Sequence, residues 1–359
     1  NHKKIFVNGN ISYSDLFHVI NRNLENSFFK KKNRLIALCF KNSEEFLTAY
    51  LTIIKSGNIA VILEQGLSDK RYLDILNKFK INHLITKKNF GKSIFNNNFS
   101  FKKKDDIFFY SRLNKKKLKY PNFLKNVAVV LFTSGSTGQK KGVMLTHSNL
   151  IFNTSSILKT LPIKEYDIVN LILPTSYSFG LSIVNTHLKV GAQIYLHISP
   201  FIGSVIKELN YFKCTSFYGV PSSFEILLSR TDFINQKFPY LRYIGQAGGK
   251  LEKKFKKNIL LKFKNKFYVM YGTTEASPRL SYVPPNTLSK KIDSIGIPLP
   301  GVRFKLFKFM KTKNYQLGVA GKNIMKGYLE DPKLTKKYFK KKFFLTGDLA
   351  YKDKDNYFF

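Results

Sequence analysis

A short run rich in glycine and hydroxyl side chains follows an apolar stretch and has the composition of a phosphate-binding turn. Residues 133–142 contain three glycines, four Ser or Thr side chains and two lysines. Glycines let backbone N–H groups approach an anion closely, hydroxyls add donors, and a lysine adds charge. The spacing differs from the G-x-x-x-x-G-K-S/T pattern of nucleotide hydrolases. The run therefore predicts another kind of phosphate site after a strand at residues 127–132, although a plain surface turn is the alternative for such a run alone.

Three further short segments follow this run in a fixed order. The string Tyr-Gly-Thr-Thr-Glu occupies residues 271–275, Gly-Ile-Pro-Leu-Pro-Gly occupies residues 296–301, and Thr-Gly-Asp occupies residues 346–348. Each string could occur by chance. Four such segments in order over more than two hundred residues are informative together.

The four segments resemble the ordered motifs of the adenylate-forming (AMP-binding) enzymes, which include acyl-CoA synthetases, luciferases and peptide synthetase adenylation domains. They are similar to T-S-G-S-T-G-x-P-K-G, Y-G-x-T-E, G-x-P-x-P-G and T-G-D, with Lys140 in place of the usual proline. The resemblance implies that a carboxylate attacks the α-phosphorus of ATP, pyrophosphate leaves, and the acyl group passes to coenzyme A or a phosphopantetheine carrier. A carboxylate is already ionised at neutral pH, since its pKa is about 4, so no general base is required.

The resemblance also implies roles for individual residues. Thr274 is expected at the α-phosphate, Glu275 at Mg²⁺, Tyr271 in the adenine pocket and Asp348 on the ribose hydroxyls, with Lys141, Thr274 and Glu275 as the catalytic group. A carboxylate suits Mg²⁺, which prefers hard oxygen ligands and bridges to phosphates. Core packing for Tyr271 and a turn cap for Asp348 are the structural alternatives. The remaining nucleotide-binding residues are expected to be Thr133, Ser134, Gly135, Ser136, Thr137, Gly138, Gly248, Gly272 and Thr273.

The segment after the phosphate run bears on the substrate. Between Asp167 and Glu208 the sequence has no acidic residue that could pair with the ammonium of an amino acid. An unpaired buried ammonium costs several kcal/mol, so a non-amino carboxylic acid is favoured over an amino acid. Residues 174–180 resemble the P-x-x-H/Y-x-x-G string of acyl-CoA synthetases. The acyl pocket is expected to contain Tyr177, Phe179, Ala247, Gly248 and Gly249, with ordinary core packing as the alternative for the two aromatic side chains.

Composition limits the other classes of function. The net charge is +39, but only 8 of the 61 basic residues are Arg, and this bias is typical of an AT-rich genome. We therefore predict no nucleic-acid partner, despite the charge. No apolar run is long enough to span a membrane. The two cysteines form no motif, which favours a reducing, cytoplasmic location.

Alternating apolar blocks and helical periods predict an α/β fold with parallel sheets. We expect two repeated α/β subdomains, at residues 1–125 and 126–290, the second carrying the phosphate run. A small β-rich, barrel-like part is expected at residues 291–359. Residues 87–125, rich in Lys and Asn, are expected to form an irregular connection.

The sequence ends at Phe359, eleven residues after the Thr-Gly-Asp motif. Members of the resembled family continue into a lid domain whose lysine bridges the acyl carboxylate and the α-phosphate. We expect this chain to comprise the large N-terminal domain without the lid, and to bind ATP and acid while lacking that lysine. A nucleotide- or acyl-binding module without turnover is the alternative.

Overall fold

The computed structural model describes residues 5–8, 11–90, 95, 97–134, 140–197, 199–308 and 314–359. The strands in these ranges are, in chain order, β1 (Ile5–Val7), β2 (Ile11–Ser12), β3 (Leu35–Cys39), β4 (Ile59–Ile62), β5 (His83–Thr86), β6 (Phe99–Lys104), β7 (Ile107–Arg112), β8 (Val127–Ser134), β9 (Lys140–Thr146), β10 (Ile168–Leu171), β11 (Gln193–Leu196), β12 (Ser216–Gly219), β13 (Tyr243–Gln246), β14 (Phe267–Gly272), β15 (Arg279–Val283), β16 (Ile297–Pro298), β17 (Arg303–Lys308), β18 (Tyr315–Ala320), β19 (Gly327–Tyr328), β20 (Phe339–Lys340) and β21 (Phe343–Leu349). The α-helices are α1 (Tyr13–Leu24), α2 (Ser27–Lys30), α3 (Glu44–Lys55), α4 (Asp69–Lys78), α5 (His147–Leu158), α6 (Ser178–Val190), α7 (Val205–Tyr211), α8 (Pro221–Arg230), α9 (Lys253–Phe263) and α10 (Pro332–Lys337).

Helix α3 shows how local sequence sets these elements. Ser43 caps its first turn by accepting a hydrogen bond from the Phe46 N–H, two glutamates lie in that turn, and Lys55 lies in the last. These charges suit the helix dipole. Its buried face, which includes Phe46, Tyr50 and Ile53, packs on the first sheet.

The first sheet has eight strands in the order β19-β9-β8-β4-β3-β5-β7-β6. Its centre, β8-β4-β3-β5, is parallel, and the outer strands are antiparallel. The phosphate-run strands β8 and β9 therefore belong to the sheet built by the first part of the chain, because β8 pairs with β4. The sequence predicts a subdomain boundary between residues 125 and 126. In the structure β8 and β9 follow that point in the chain but still belong to the first sheet.

The second sheet has nine strands in the order β16-β15-β14-β13-β12-β10-β11-β1-β2. The strands from β14 to β1 are parallel, and the N-terminal hairpin joins through β1, which pairs with β11. Apolar residues from both sheets share one core, in which α1 packs on α3 and α5 packs on α6. The predicted α/β class with parallel sheets is thus confirmed.

The C-terminal part forms a four-stranded antiparallel sheet in the order β17-β18-β21-β20. This is the small β-rich part that the sequence predicts. Strand β19 leaves this part and pairs with β9 of the first sheet, Tyr328 opposite Val143. The C-terminal part is therefore attached beside the phosphate run.

The prediction of an irregular connection at residues 87–125 is wrong where β6 and β7 form an antiparallel hairpin. In β7 every second side chain is buried, namely those of Phe108, Tyr110 and Arg112. Strand β6 is the edge of its sheet, and all its residues after Phe99 are exposed. Exposed lysines are common on edge strands. In β6 they give the segment the polar composition of a loop, so the sequence does not indicate a strand there. No helix among the described residues is long and apolar enough to cross a membrane.

Candidate active site

Strands β8 and β9 form a hairpin, here called the phosphate hairpin, and they fix both ends of the glycine-rich run. Thr133 lies opposite Lys141 across the β8–β9 pair, and Ser134 opposite Lys140. Because directly opposed residues of an antiparallel pair project on one face, Thr133 and Lys141 are neighbours. The predicted phosphate-binding residues Gly135, Ser136, Thr137 and Gly138 lie outside the described residues, as does the side chain of Ser134.

Lys140 occupies the position at which the resembled motif has proline. Its ammonium lies 2.6 Å from a Glu64 carboxylate oxygen, beyond the end of β4. Its carbonyl oxygen accepts a hydrogen bond of 3.2 Å from Lys78 Nζ. The ion pair joins the end of the phosphate run to the neighbouring parallel strand, although an exposed pair of this kind contributes at most about 1 kcal/mol.

The predicted phosphate-binding lysine, Lys141, lies in an aromatic setting. Its ammonium donates a 2.9 Å hydrogen bond to the Tyr338 hydroxyl and lies 5.6 Å from the centre of the Tyr328 ring. Both tyrosines come from the C-terminal part of the chain. This part thus lies against the end of the β8–β9 hairpin that carries Lys141.

Glu275 lies in a short 3₁₀ turn after β14 and is buried. One carboxylate oxygen accepts a 2.9 Å hydrogen bond from the Tyr328 hydroxyl, and the other accepts one from Thr273. Burial and the nearby carboxylate raise the pKa of Tyr328, so its hydroxyl stays protonated and donates. Through Tyr328, Glu275 and Lys141 share one neighbourhood, although they are far apart in sequence.

The turn that carries Thr274 and Glu275 is held closely by backbone contacts. A Cβ on Gly272 would lie 2.1 Å from the Pro278 carbonyl oxygen, so a glycine is needed where the chain doubles back. The Asn323 amide donates to the Ala276 carbonyl oxygen at 3.0 Å. The Asn153 amide donates to the Arg279 carbonyl oxygen at 2.7 Å. The turn is therefore fixed from two sides.

Tyr271 and Asp348 meet at the opening of the site. The Tyr271 hydroxyl donates a 2.5 Å hydrogen bond to Oδ2 of the exposed Asp348. The backbone N–H of Asp348 donates a hydrogen bond of 3.1 Å to Thr346 Oγ1. Burial, and then the adjacent carboxylate, raise the pKa of Tyr271, which keeps its hydroxyl protonated. Tyr271 thus orients a carboxylate that faces solvent.

A cavity of about 640 Å³ joins residues from the predicted nucleotide and acyl groups. Thr274 and Ser178 share a hydrogen bond of 3.1 Å at its wall. Gly249 is not among its lining residues, and its carbonyl oxygen instead accepts a 2.8 Å hydrogen bond from Gln246. The lining residues are Leu173, Pro174, Tyr177, Ser178, Phe179, Val220, Ala247, Gly248, Gly272, Thr273, Thr274, Pro278, Arg279, Thr346 and Asp348.

The start of α6 forms the side of the cavity that contains Tyr177 and Phe179, two of the residues predicted for the acyl pocket. Tyr177 precedes the helix and is 55% exposed, whereas Phe179 in the first turn is buried. A Cβ on Gly180 would lie 2.3 Å from the Pro174 carbonyl oxygen. The glycine therefore allows the helix to begin directly against the preceding segment, which places Phe179 at the cavity.

Residues 6–329 match the sequence family described as AMP-binding enzyme, which is most of the chain. The chain belongs to the AMP-binding enzyme family. The predicted resemblance is thereby confirmed.

Several curated CoA synthases and CoA ligases are similar to the chain. A feruloyl-CoA synthase from an Amycolatopsis species is 29% identical over 245 residues, which are 66% of this chain and 50% of that protein. A long-chain-fatty-acid–CoA ligase of Escherichia coli O157:H7 is 30% identical over 246 residues, which are 65% of this chain and 43% of that protein. The chain thus spans half or less of the length of these relatives.

A solved structure of o-succinylbenzoate CoA synthetase from Bacillus subtilis, bound with a product analogue, resembles the whole chain. The TM-score is 0.84 at 22% identity, over 100% of this chain and 75% of that one. At this identity the likeness shows the fold, which is that of the N-terminal domain of an AMP-binding enzyme.

Sequence reasoning missed three side chains of this candidate site. Tyr328 donates to Glu275, Tyr338 accepts from Lys141, and Arg279 lines the cavity. Both tyrosines lie between the motif at residues 296–301 and the motif at residues 346–348, where the sequence has no family motif. Arg279 offered a signal, because it is one of only 8 arginines in a chain whose composition favours lysine.

Proposed function

We propose that this chain binds MgATP and a non-amino carboxylic acid, and that the full-length protein joins them as an acyl-adenylate. Pyrophosphate is released, and the acyl group then passes to a thiol of coenzyme A or of a phosphopantetheine carrier. The site residues act in the roles that the resemblance implies. The family membership of the chain supports the reaction class.

The observation that carries this proposal is the shared cavity. Thr274 and Asp348, expected at the α-phosphate and the ribose, line the same space as Phe179, Ala247 and Gly248. An acid in this space has its carboxylate beside the expected position of the α-phosphate. Holding two reactants together in this way removes much of the entropic part of a barrier.

Glu275 fits a magnesium ion that also binds phosphate. Within the described residues its carboxylate accepts only from hydroxyl groups and forms no ion pair with Lys or Arg. Mg²⁺ is commonly held by one or two carboxylates together with substrate phosphates, and it would neutralise phosphate charge. Glu275 is therefore the proposed magnesium ligand, and Tyr328 and Thr273 orient it.

The proposed chemistry needs positioning and charge neutralisation more than proton transfer. A carboxylate oxygen forms a bond to the α-phosphorus, and the bond from that phosphorus to the oxygen bridging to the β-phosphate breaks. The bridging oxygen leaves with its electron pair as part of pyrophosphate, which Lys141 helps to neutralise. No proton has to move in this step.

The charges around the cavity favour an acid without an ammonium group. Among the described lining residues, Asp348 is the one carboxylate, and its Oδ2 accepts from Tyr271. Arg279 also lines the cavity, and its positive charge repels an ammonium. Because Asp348 is assigned to the ribose hydroxyls, an amino acid bound there would lack a counter-charge for its ammonium.

Exchange of pyrophosphate into ATP by the full-length protein tests this proposal. A panel of aliphatic, aromatic, dicarboxylic and amino acids is supplied with MgATP and labelled pyrophosphate. We expect exchange that depends on both a carboxylic acid and Mg²⁺, with the amino acids inactive. The assay reports adenylate formation whatever the thiol acceptor.

Two results would count against the proposal. Exchange with amino acids alone would show that the acid class is wrong. Binding of ATP and acid without exchange across the whole panel would leave a binding module without turnover.

A further inference from the structure

Arg279 is a buried cation at the acyl cavity. It is the first residue of β15, follows the Thr274–Glu275 turn, and is 3% exposed. Burial lowers the pKa of its guanidinium to about 10, so the side chain remains charged at neutral pH. A buried charge is costly unless an opposite charge or several hydrogen bonds compensate it.

The described residues supply no opposite charge for this guanidinium. The hydrogen-bond acceptor that it meets among them is the sulphur of Met270, and the Phe179 ring centre lies 4.8 Å from Cζ. The carboxylate of Glu275 is engaged by Thr273 and Tyr328. A thioether and an aromatic face satisfy a cation only weakly.

The backbone of Arg279 is fixed in place. The buried Asn153 side chain accepts a hydrogen bond of 3.2 Å from the Arg279 N–H and donates one of 2.7 Å to its carbonyl oxygen. Asn323 donates to the same carbonyl oxygen at 3.3 Å. Such support is typical of a side chain that must be held in a binding geometry.

The choice of arginine is also informative. The chain has 53 lysines and 8 arginines, so its composition would supply lysine at a position that needs only a cation. A guanidinium differs from an ammonium because its planar donors bind both oxygens of a carboxylate at once. Arg279 lines the same cavity as Thr274, and its guanidinium lies over the Phe179 ring.

We propose that Arg279 is a specificity-determining residue that binds a second carboxylate on the acyl substrate. The substrate is then a dicarboxylic acid: one carboxylate reacts near Thr274 and the other pairs with Arg279. This inference rests on the proposed function, since it specifies the acid that the same site activates. The substrate itself completes the charge balance of the cavity.

The test compares acids of equal length in pyrophosphate exchange by the full-length protein. Pentanoic, hexanoic and octanoic acids are matched with glutaric, adipic and suberic acids, and the half-amide of each dicarboxylic acid provides an uncharged isostere. We expect the best dicarboxylic acid to exceed its monocarboxylic partner and its half-amide about 10- to 100-fold in kcat/KM, the range for hydrogen bonds to a charged group.

The Arg279→Met variant should reverse this preference. We expect kcat/KM for the dicarboxylic acid to fall about 10- to 100-fold, while the monocarboxylic acid is unchanged or improved, and AMP affinity measured by calorimetry is retained. Arg279→Lys, which keeps the charge but not the planar fork, should fall between the two. A purely structural role would lower activity on all acids alike, so the ratio between matched acids is the decisive readout.

Three outcomes are distinguishable. If the wild-type protein uses monocarboxylic acids as well as their dicarboxylic partners, the inference fails and the proposed function stands, whether or not the variants fold. An equal loss on both acids, or a matching loss of AMP affinity, in Arg279→Met also overturns it. Exchange with no acid in the panel overturns the proposed function and this inference together.

Discussion

At the scale of single residues, the site depends on hydroxyl groups that orient charged groups. Tyr328 donates to Glu275, Tyr271 donates to Asp348, and Tyr338 accepts from Lys141. Neutral donors hold a carboxylate without cancelling its charge, which leaves that charge for the proposed metal ion at Glu275 and the proposed ribose at Asp348.

Removing the charge of Glu275 is the most direct test at this scale. We expect Glu275→Gln to lower MgATP-dependent exchange about 10²-fold or more, the scale for losing a group that stabilises phosphate charge through a metal. Rates of exchange at saturating acid measure it. The matched control is Glu252→Gln, because the side chain of Glu252 is 60% exposed whereas Glu275 is buried. Activity of Glu275→Gln within a few fold of wild type would contradict the role.

A second prediction concerns the width of the acyl cavity. Ala247 is buried and lines it, so Ala247→Leu should fill part of the space and shift the preferred acid toward shorter chains. Exchange over a homologous series of acids measures the shift, and AMP affinity should be retained. Gly249→Ala is the comparison, because Gly249 does not line the cavity. An unchanged profile in Ala247→Leu would place the acyl chain elsewhere.

At the scale of elements, the site is built where ends of strands and helices meet. The phosphate hairpin comes from the first sheet, the Thr274–Glu275 turn from the end of β14, and Phe179 from the first turn of α6. The ends of β13 and β14 lie side by side in a parallel pair. Residues that follow neighbouring parallel strands therefore face a common opening, as in other open α/β sheets.

The close contact at the start of α6 predicts a strong effect of one methyl group. A Cβ on Gly180 would lie 2.3 Å from the Pro174 carbonyl oxygen, so Gly180→Ala must displace the helix start and should destabilise the fold by about 1–3 kcal/mol. Chemical denaturation measures the loss. In Gly203→Ala the added Cβ would lie 3.5 Å from Thr231 Cγ2, an ordinary contact. Equal stability of the two variants would contradict the prediction, because it would mean that the start of α6 moves away from the Pro174 carbonyl oxygen at no cost.

At the scale of the whole molecule, contacts far apart in sequence join the C-terminal part to the first sheet. Glu330 accepts from Lys80 at 2.8 Å and from two backbone N–H groups, those of Lys119 and Tyr120. Strand β19 adds the pairing with β9. These contacts place Tyr328 between the phosphate hairpin and Glu275.

Two buried histidines should make the fold sensitive to acid. Burial lowers the pKa of His187 to about 4, and burial together with the nearby Arg34 lowers that of His83 to about 4. Between this value and the ordinary 6.5, protons bind the unfolded chain in preference to the folded one. The stability that these histidines contribute is therefore complete above about pH 6.5 and is lost as the pH falls toward 4.

We expect the free energy of unfolding to fall by about 2 kcal/mol per histidine between pH 7 and pH 5. Urea denaturation at several pH values measures this slope. His187→Phe should reduce the slope even if its stability at pH 7 is lower. The exposed His18→Asn serves as the matched control. An identical slope in wild type and His187→Phe would contradict the assignment.

The family and the α/β class could be predicted from the sequence because both depend on local patterns. The four motifs are short strings, and helical or apolar periodicity extends over a few turns or one strand. The strand predicted at residues 127–132 lies within β8. The β6–β7 hairpin escaped prediction because its exposed lysines weaken the apolar signal.

The tertiary structure alone decided how the site is completed. Tyr328 and Glu275 lie 53 positions apart, and Lys141 and Tyr338 lie 197 apart. Local patterns do not encode which of 20 tyrosines reaches a given carboxylate. Likewise, only the contact between β15 and α6 shows that Arg279 lines the cavity. Its burial, and the lack of a counter-charge among the described residues, depend on neighbours distant in sequence.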